Sequence, residues 1–259
     1  MLGRWLSHPL TRDLDLDDPR TTLLRQDVLR QKRFLRRIYE EWYAALAAEL
    51  PDLPGGVLEI GSGAGFLAEL VPGLITSELV PLSGLRCALD AGALPFADAA
   101  LRAIVGTNVL HHLERPRAFL AEAARALPAG GVVALIEPWV TRWSRLVYAR
   151  VGHEPFAPEA AEWEQPAGGP LSGANGALPW ILFCRDRRQF EGEFPAWQIR
   201  SVQPIMPLRY LLSGGLSLRL SMPAWSSGAW KLAETWLERW AGHTAMFAKI
   251  VLEKRPNRD

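Results

Sequence analysis

Hydrophobic positions recur at helical spacing between Thr21 and Leu50, which predicts an amphipathic helix near the start of the chain. The segment PDLPGG ends this helix, because proline and glycine terminate helices. Short apolar runs then alternate with helical segments. The pattern predicts strands at residues 57–60, 74–80, 86–89, 102–107 and 132–136, and helices at residues 64–71 and 117–127. Strands alternating with helices predict an α/β, doubly wound, mostly parallel sheet with helices on both faces.

The alternation stops after Glu137. Residues 153–195 are rich in proline, glycine and tryptophan and are too long for a plain connector, so they predict an ordered insertion over a ligand site. Residues 197–205 and 245–253 are predicted as a closing pair of strands that includes an antiparallel strand near the C-terminus. The predicted division is a lead-in and helical cap (1–50), a ligand-binding core (51–138), a Trp-rich insertion (139–244), and a closing strand and tail (245–259).

Composition narrows the classes of function. The formal net charge of +1 gives no field that would favour a nucleic acid as the main partner. The two cysteines form no C-x-x-C motif, which argues against a metal knuckle or a disulfide framework. No apolar run is long enough for a membrane span, and the N-terminus does not read as a signal peptide, so the expected location is the cytoplasm.

The glycine-rich stretch VLEIGSGAGFLAEL follows the first predicted strand. A dinucleotide-binding fingerprint requires a small residue at the position that Phe66 occupies here. Glycines admit close backbone approach by any ligand, and the acidic Glu59 beside the loop suits an ammonium group rather than a pyrophosphate. The loop therefore predicts a ligand other than a dinucleotide.

Three further polar residues end successive predicted strands. Glu78 ends the second strand, where a carboxylate can accept hydrogen bonds from ribose hydroxyls. Asp90 ends the third strand, where a carboxylate can accept a hydrogen bond from an adenine amino group, and Asn108 ends the fourth. In open parallel sheets, ligands bind at this carboxyl edge.

These motifs, in this order, resemble the class I S-adenosylmethionine-dependent methyltransferases, in particular the small-molecule group that includes the quinone-biosynthesis C-methyltransferases. The similarity covers roughly residues 30–138 and includes VLEIGSGAGF, TSEL and LDAGALPF. The resemblance implies a Rossmann-like methyltransferase sheet, S-adenosylmethionine as cofactor and S-adenosylhomocysteine as product. The implied cofactor-binding residues are Glu59, Gly61, Ser62, Gly63, Gly65, Glu78, Leu79, Asp90, Ala91 and Asn108. Two alternatives are a non-catalytic protein that binds the same ligand, and a nicotinamide-dependent oxidoreductase, which Phe66 and Glu59 disfavour.

Histidine is the natural candidate for removing a proton from a methyl acceptor. His111 and His112 follow the fourth strand, and His153 begins the insertion. Each is a candidate base, although packing or helix capping is the favoured explanation for each of them. The sequence shows no further histidine, cysteine or carboxylate at ligand spacing from the HH pair, so no metal site is expected.

The second half of the chain bears on the acceptor. Its tryptophans are too many for a small core, which favours a pocket with aromatic walls. Such a pocket suits a small hydrophobic or aromatic acceptor, methylated on oxygen or carbon. The alternative is that these tryptophans only pack the insertion onto the sheet. The tryptophans concerned are Trp139, Trp143, Trp163, Trp180, Trp197, Trp225 and Trp230. The segment LRYLLSGGLSLRLSMPAW also suits a peripheral contact with a membrane surface. The basic residues of QKRFLRR are expected on a solvated helix face, and a contact with a phosphate or an anionic lipid is the alternative; they are Lys32, Arg33, Arg36 and Arg37. The sequence leaves the oligomeric state open.

Overall fold

The computed structural model of the chain describes residues 8–10, 19–151, 154–165 and 173–256. Its strands are β1 Gly56–Ile60, β2 Ile75–Glu78, β3 Cys87–Ala88, β4 Leu101–Thr107, β5 Val132–Pro138, β6 Trp197–Ile205 and β7 Phe247–Lys254. They form one sheet in the order β3-β2-β1-β4-β5-β7-β6. The pairs from β3 to β5 are parallel, whereas β7 runs antiparallel to both β5 and β6. The predicted mostly parallel sheet with an antiparallel strand near the C-terminus is confirmed.

The helices are α1 Pro19–Gln31, α2 Arg33–Ala47, α3 Pro116–Ala126, α4 Arg142–Val151, α5 Leu178–Trp180, α6 Arg187–Glu193, α7 Arg209–Ser213, α8 Ser227–Glu238 and α9 Ala241–Thr244. Two differences from the sequence prediction concern the first half. The helix predicted across residues 21–50 is two helices, and the helix predicted at 64–71 is reduced to the 3-10 turn Leu67–Glu69. The helix predicted at 64–71 is shortened because the glycine loop extends to Gly65, whose N–H donates to the Ser62 carbonyl (2.8 Å) and closes a tight turn.

Lys32 separates α1 from α2 and is buried rather than solvated. Its ammonium donates hydrogen bonds to the carbonyls of Gly215 (2.6 Å) and Leu218 (2.9 Å). Arg36 lies over the ring of Phe66, 4.0 Å from the centroid. The prediction of a solvated basic face was therefore wrong for Lys32, because its side chain joins the start of α2 to a distant loop. Arg36 keeps 31% of its side chain exposed and pairs with the exposed Glu40 and Glu69.

Alternating side chains along the strands fill two apolar layers, one on each face of the sheet. Ile104 and Val133 pack into the layer that contains the buried face of α3. Val105 and Ala134 pack into the opposite layer with the buried face of α2. Helices thus cover both faces, as the apolar runs predict for a parallel sheet.

The carboxyl ends of β1, β2, β4 and β5 lie along one edge of the sheet, and residues of α1, α2 and the segment after β5 lie beside that edge. No helix among the described residues is long and apolar enough to cross a membrane.

Candidate functional site

The glycine loop after β1 forms one wall of a cleft at the carboxyl edge of the sheet. Gly61 and Gly63 have positive φ angles of 61° and 45°, which side-chain-bearing residues rarely adopt. A Cβ atom on Gly61 would lie 2.5 Å from Val109 Cγ2, and one on Gly63 would lie 3.2 Å from Glu78 Oε1. Ser62 fixes the turn, because its Oγ accepts the N–H of Ser77 (3.0 Å). The loop therefore brings bare backbone to the cleft.

Glu59, the last residue but one of β1, is buried and lines the same cleft. Burial raises the pKa of its carboxyl to about 8, against the opposing effect of a hydrogen bond from Ser62. At neutral pH this carboxyl holds its proton unless a cation approaches. A ligand with an ammonium group would supply such a cation, which fits the expectation drawn from the sequence.

The ends of β2 and β4 add polar groups to the cleft. Glu78, at the end of β2, lines it, and burial raises the pKa of its carboxyl. Asn108 follows β4 with a φ of 55° and shares a side-chain hydrogen bond with Tyr39. The Thr107 hydroxyl also lines the cleft and makes no hydrogen bond to the described residues. Glu59, the glycine loop, Glu78, Thr107 and Asn108 are together called the glycine-loop end.

The predicted adenine-binding residues lie outside this cleft. Asp90 is exposed, two residues beyond β3, and its carboxylate accepts hydrogen bonds from Gly92 N–H (2.7 Å) and the Arg115 guanidinium (2.8 Å). Ala91 is buried and Leu79 exposed, and neither lines the cleft. Their role in binding stays a prediction.

The N-terminal helices cover the glycine-loop end. Thr22 and Arg25 of α1 line the cleft, as do Tyr39 and Tyr43 of α2. Gln26 of α1 donates a hydrogen bond to the Gly63 carbonyl (3.1 Å). These contacts hold the first helices against the loop.

Beyond Asn108 the cleft continues into an apolar chamber, called here the apolar end. Tyr148 and Phe156 stack on one side with ring centroids 4.5 Å apart. Tyr210, Leu216 and Met246 form further walls. The chamber is lined by tyrosine, phenylalanine and aliphatic residues, and no tryptophan of the described chain lines it.

The tryptophans predicted to wall the pocket serve other purposes. Trp163 and Trp197 are fully buried in the layer that contains α3, and Trp139 is buried in the same layer. Trp225 is 84% exposed. The prediction of a tryptophan-lined pocket was wrong, because most of these rings pack the second half of the chain onto the sheet.

A polar cluster lies where the two ends of the cleft meet. His111 Nδ1 is 2.6 Å from Glu137 Oε2, and His111 Nε2 is 3.2 Å from Glu154 Oε2. His112 Nε2 is 3.9 Å from Glu154 Oε1. Burial alone would lower the pKa of His111, but attraction to Glu137 and the hydrogen bonds of both carboxylates raise it to about 10. In that state His111 is a cation and a poor base at neutral pH.

Two of these cluster residues were missed from the sequence. Glu137 interrupts the apolar run of β5, which was a usable signal, because a charge inside a buried strand needs a partner. Glu154 gave no such signal, since it lies 43 residues from His111 in an irregular segment. The argument that no carboxylate accompanies the HH pair was therefore wrong. His153 lies outside the described residues.

Residues 58–135 match a protein family described as "Methyltransferase domain". The match spans β1 to β5 and includes the glycine loop, Glu78 and Asn108. It confirms the resemblance to methyltransferases drawn from the sequence and supports the implied enzyme class.

Solved structures are similar to this chain at low sequence identity. A geranyl diphosphate methyltransferase in complex with SAM is 12% identical, with a TM-score of 0.50 over 85% of this chain and 87% of that one. The geranyl diphosphate C-methyltransferase of Streptomyces coelicolor is 12% identical (TM-score 0.47, 85% and 80% covered). The [4+2]-cyclase SpnF is 15% identical (TM-score 0.46, 85% and 81% covered). A search of curated proteins found no match to the sequence.

Proposed function

We propose that this chain transfers the methyl group of S-adenosylmethionine to an oxygen or carbon atom of a small apolar acceptor. The observation that carries the proposal is the continuity of the cleft. Its two ends share Pro138, Tyr148, Glu154, Tyr210 and Leu216 as lining residues. A polar, glycine-lined space thus opens directly onto an apolar one.

The glycine-loop end has the donors and acceptors that the amino-acid and ribose parts of the cofactor require. Glu59 would accept the ammonium group, the bare backbone of Gly61 and Gly63 would admit the methionine chain, and Glu78 would accept the ribose hydroxyls. The unsatisfied Thr107 hydroxyl and the strained Asn108 lie beside the expected position of the sulfonium. Asp90 and Ala91 stay assigned to adenine.

The bound cofactor supplies a methyl group on a positively charged sulfur that is already a good leaving group. The chain therefore has to align the acceptor with that methyl group and exclude water. Tyr148, Phe156 and Tyr210 would hold the apolar body of the acceptor. Its nucleophilic atom would then lie beside His111, His112 and Glu154. The charged His111 would orient that atom, and His112 or Glu154 would assist its deprotonation.

Calorimetry tests cofactor choice. We expect saturable binding of S-adenosylmethionine and no binding of NADH. The reverse result would favour the alternative of a nicotinamide-dependent oxidoreductase. Transfer of labelled methyl from S-adenosylmethionine to the organic-soluble fraction of a cell extract tests the reaction. Binding without any labelled product would mean a non-catalytic binding protein.

A second observation supports a contact between this chain and a lipid surface. α8 exposes Leu232 (73%) and Trp236 (67%), and Trp225 beside it is 84% exposed. Cations accompany these rings: Arg239 lies 3.9 Å over the Trp236 ring, and Arg37 donates to the Ala224 carbonyl next to Trp225. Aromatic rings beside basic side chains suit the interface of an anionic bilayer. We propose that this surface rests on such a bilayer.

A short segment connects the apolar end of the cleft with the protein surface that carries Trp225, Leu232 and Trp236. Residues 214–218 line the apolar end, and Leu220, which follows them, is 59% exposed. An apolar acceptor dissolved in a bilayer would thus reach the chamber near the point of contact.

Co-sedimentation with vesicles tests the contact. The wild-type chain should sediment with vesicles that contain anionic lipid, and Leu232→Ser together with Trp236→Ser should reduce the bound fraction several-fold. Leu146→Ser is the control, because Leu146 is an exposed leucine that belongs to α4 rather than to α8. If the double variant instead abolishes a dimer in sedimentation velocity and leaves vesicle binding unchanged, the surface joins two copies of the chain and the lipid proposal fails.

A further inference from the structure

The cluster at the junction of the two ends brings two imidazoles and two carboxylates together. Glu137 is fully buried, and its Oε1 accepts the backbone N–H groups of Val109 and Leu110 (2.8 Å each). Its Oε2 lies 2.6 Å from His111 Nδ1. A carboxylate in this position accepts a hydrogen bond from Nδ1, so Nε2 is the nitrogen that can exchange its proton for a metal ion.

His111 Nε2 lies 3.2 Å from Glu154 Oε2. A proton bridges these two atoms when His111 is charged, and a metal ion bound to both atoms would replace that proton. His112 comes to the same carboxylate from its other side, with Nε2 3.9 Å from Oε1. One ligand atom from each of His111, His112 and Glu154 lies within 4.8 Å of the others.

We propose that His111, His112 and Glu154 bind a divalent first-row transition-metal ion, such as Zn²⁺, Mn²⁺ or Fe²⁺. Two imidazoles and one carboxylate are the ligands that such ions prefer, whereas Mg²⁺ and Ca²⁺ prefer oxygen ligands alone. Glu137 completes the carboxylate–histidine–metal arrangement found behind metal-binding histidines. The two positive charges of the ion balance the charges of Glu137 and Glu154.

Three protein ligands leave coordination positions open for a ligand oxygen. All three residues line the cleft between the glycine loop and Tyr210, so an acceptor atom there can reach the ion. This part of the inference rests on the proposed function and narrows the acceptor to a molecule with a hydroxyl, phenol or enol oxygen. The ion would lower the pKa of that group, whose proton leaves to water. The oxygen, or the carbon conjugated with it, then bonds to the methyl carbon as the carbon–sulfur bond breaks.

Metal binding is tested without cofactor, so that it stands apart from the proposed function. The full chain is treated with a chelator and titrated with Co²⁺, whose visible d–d absorption reports its coordination. We expect one Co²⁺ per chain, displaced by Zn²⁺, and no sulfur-to-cobalt absorption of the kind that the exposed Cys184 would give. His112→Gln and Glu154→Gln should each weaken Co²⁺ binding at least tenfold. The loss of a residue that only supports a metal ligand already costs about tenfold or more, so the loss of a ligand should cost no less.

The matched control is His243→Gln, because His243 is exposed on α9 outside the cleft; its Co²⁺ affinity should equal that of the wild type. S-adenosylmethionine affinity, measured for each chain without metal, shows that the variants are folded. Absence of saturable Co²⁺ uptake, or uptake that His112→Gln and Glu154→Gln leave unchanged, would overturn the metal site and would mean that a proton bridges His111 and Glu154. Metal uptake in a chain that does not bind S-adenosylmethionine would instead defeat the proposed function alone.

Discussion

The two ends of the cleft are built in different ways. The glycine-loop end is made of strand termini and the turns that follow them, so its geometry comes from the sheet and from backbone conformations such as the positive φ of Gly61 and Gly63. The apolar end is made of side chains from segments far apart in sequence, including Tyr148, Phe156 and Tyr210. We infer that the sheet edge binds the cofactor, as it binds ligands in other open parallel sheets, and that the segments after β5 bind the acceptor.

This difference leads to a general expectation for variants. Changes at the glycine-loop end should act on cofactor affinity, and changes at the apolar end should act on the acceptor with cofactor affinity intact. The cluster of His111, His112 and Glu154 lies between them, and we propose that it takes part in the reaction. Each variant below is paired with a control of the same type outside the cleft.

Gly63→Val should have the largest effect. The side chain would occupy ligand space next to Glu78 and force a branched residue into a positive φ, a strain of about 1–2 kcal/mol. We expect S-adenosylmethionine affinity to fall about 100-fold or more, which is about 3 kcal/mol, measured by calorimetry. Gly73→Val is the control, because Gly73 has a φ of 77° with open space around it and carries the same strain outside the cleft. Unaltered affinity in Gly63→Val would place the ligand elsewhere.

Glu59→Gln should come next. Because burial raises the pKa of Glu59 to about 8, the carboxyl is mostly protonated at pH 7 in the absence of ligand. The cofactor ammonium should lower that pKa, so binding at pH 7 should release most of one proton, and binding above pH 9 should release almost none. Calorimetry in buffers of different ionisation enthalpy measures this release.

In the Glu59→Gln variant the proton release should vanish and affinity should fall about 10- to 100-fold, the range expected for a lost hydrogen bond to a charged group. Glu69→Gln is the control, since Glu69 is an exposed carboxylate paired with Arg36. Wild-type binding without any proton release would remove Glu59 from contact with the ammonium group.

The sequence predicted the glycine-loop end well, for a physical reason. Gly61, Glu78 and Asn108 each stand next to a strand, and parallel strands bring their carboxyl ends to one edge whatever the rest of the chain does. Glu154 and Tyr210 could not be found in this way, because long-range packing of irregular segments brings them to the cleft. The prediction of a tryptophan-lined pocket failed for a related reason. Composition indicates that large rings are present, but it does not indicate which layer of the structure they fill.

Phe156→Ala tests the apolar end. Phe156 stacks on Tyr148 and lines the chamber, so its removal should weaken the hold on an apolar acceptor by about 1.4 kcal/mol and raise the KM for that acceptor about tenfold. S-adenosylmethionine affinity should not change. Phe194→Ala is the control, because Phe194 is similarly half-buried but packs on Phe190 outside the cleft. A loss of cofactor affinity in Phe156→Ala, with acceptor KM intact, would reverse the assignment of the two ends.

Asp90→Ala should have the smallest effect on cofactor affinity. It tests whether the cofactor-binding site extends from the glycine-loop end as far as Asp90. Asp90 is exposed and already paired with Arg115 at 2.8 Å, so a hydrogen bond from its carboxylate to adenine would compete with water and with that pair. We therefore expect a loss of only about 1 kcal/mol, or about fivefold in S-adenosylmethionine affinity. Asp98→Ala removes a similar exposed carboxylate, paired with Arg125 at 2.8 Å, and should leave affinity unchanged. If the two variants bind the cofactor equally well, adenine does not contact Asp90, and the cofactor is held by the glycine loop, Glu59 and Glu78 without it.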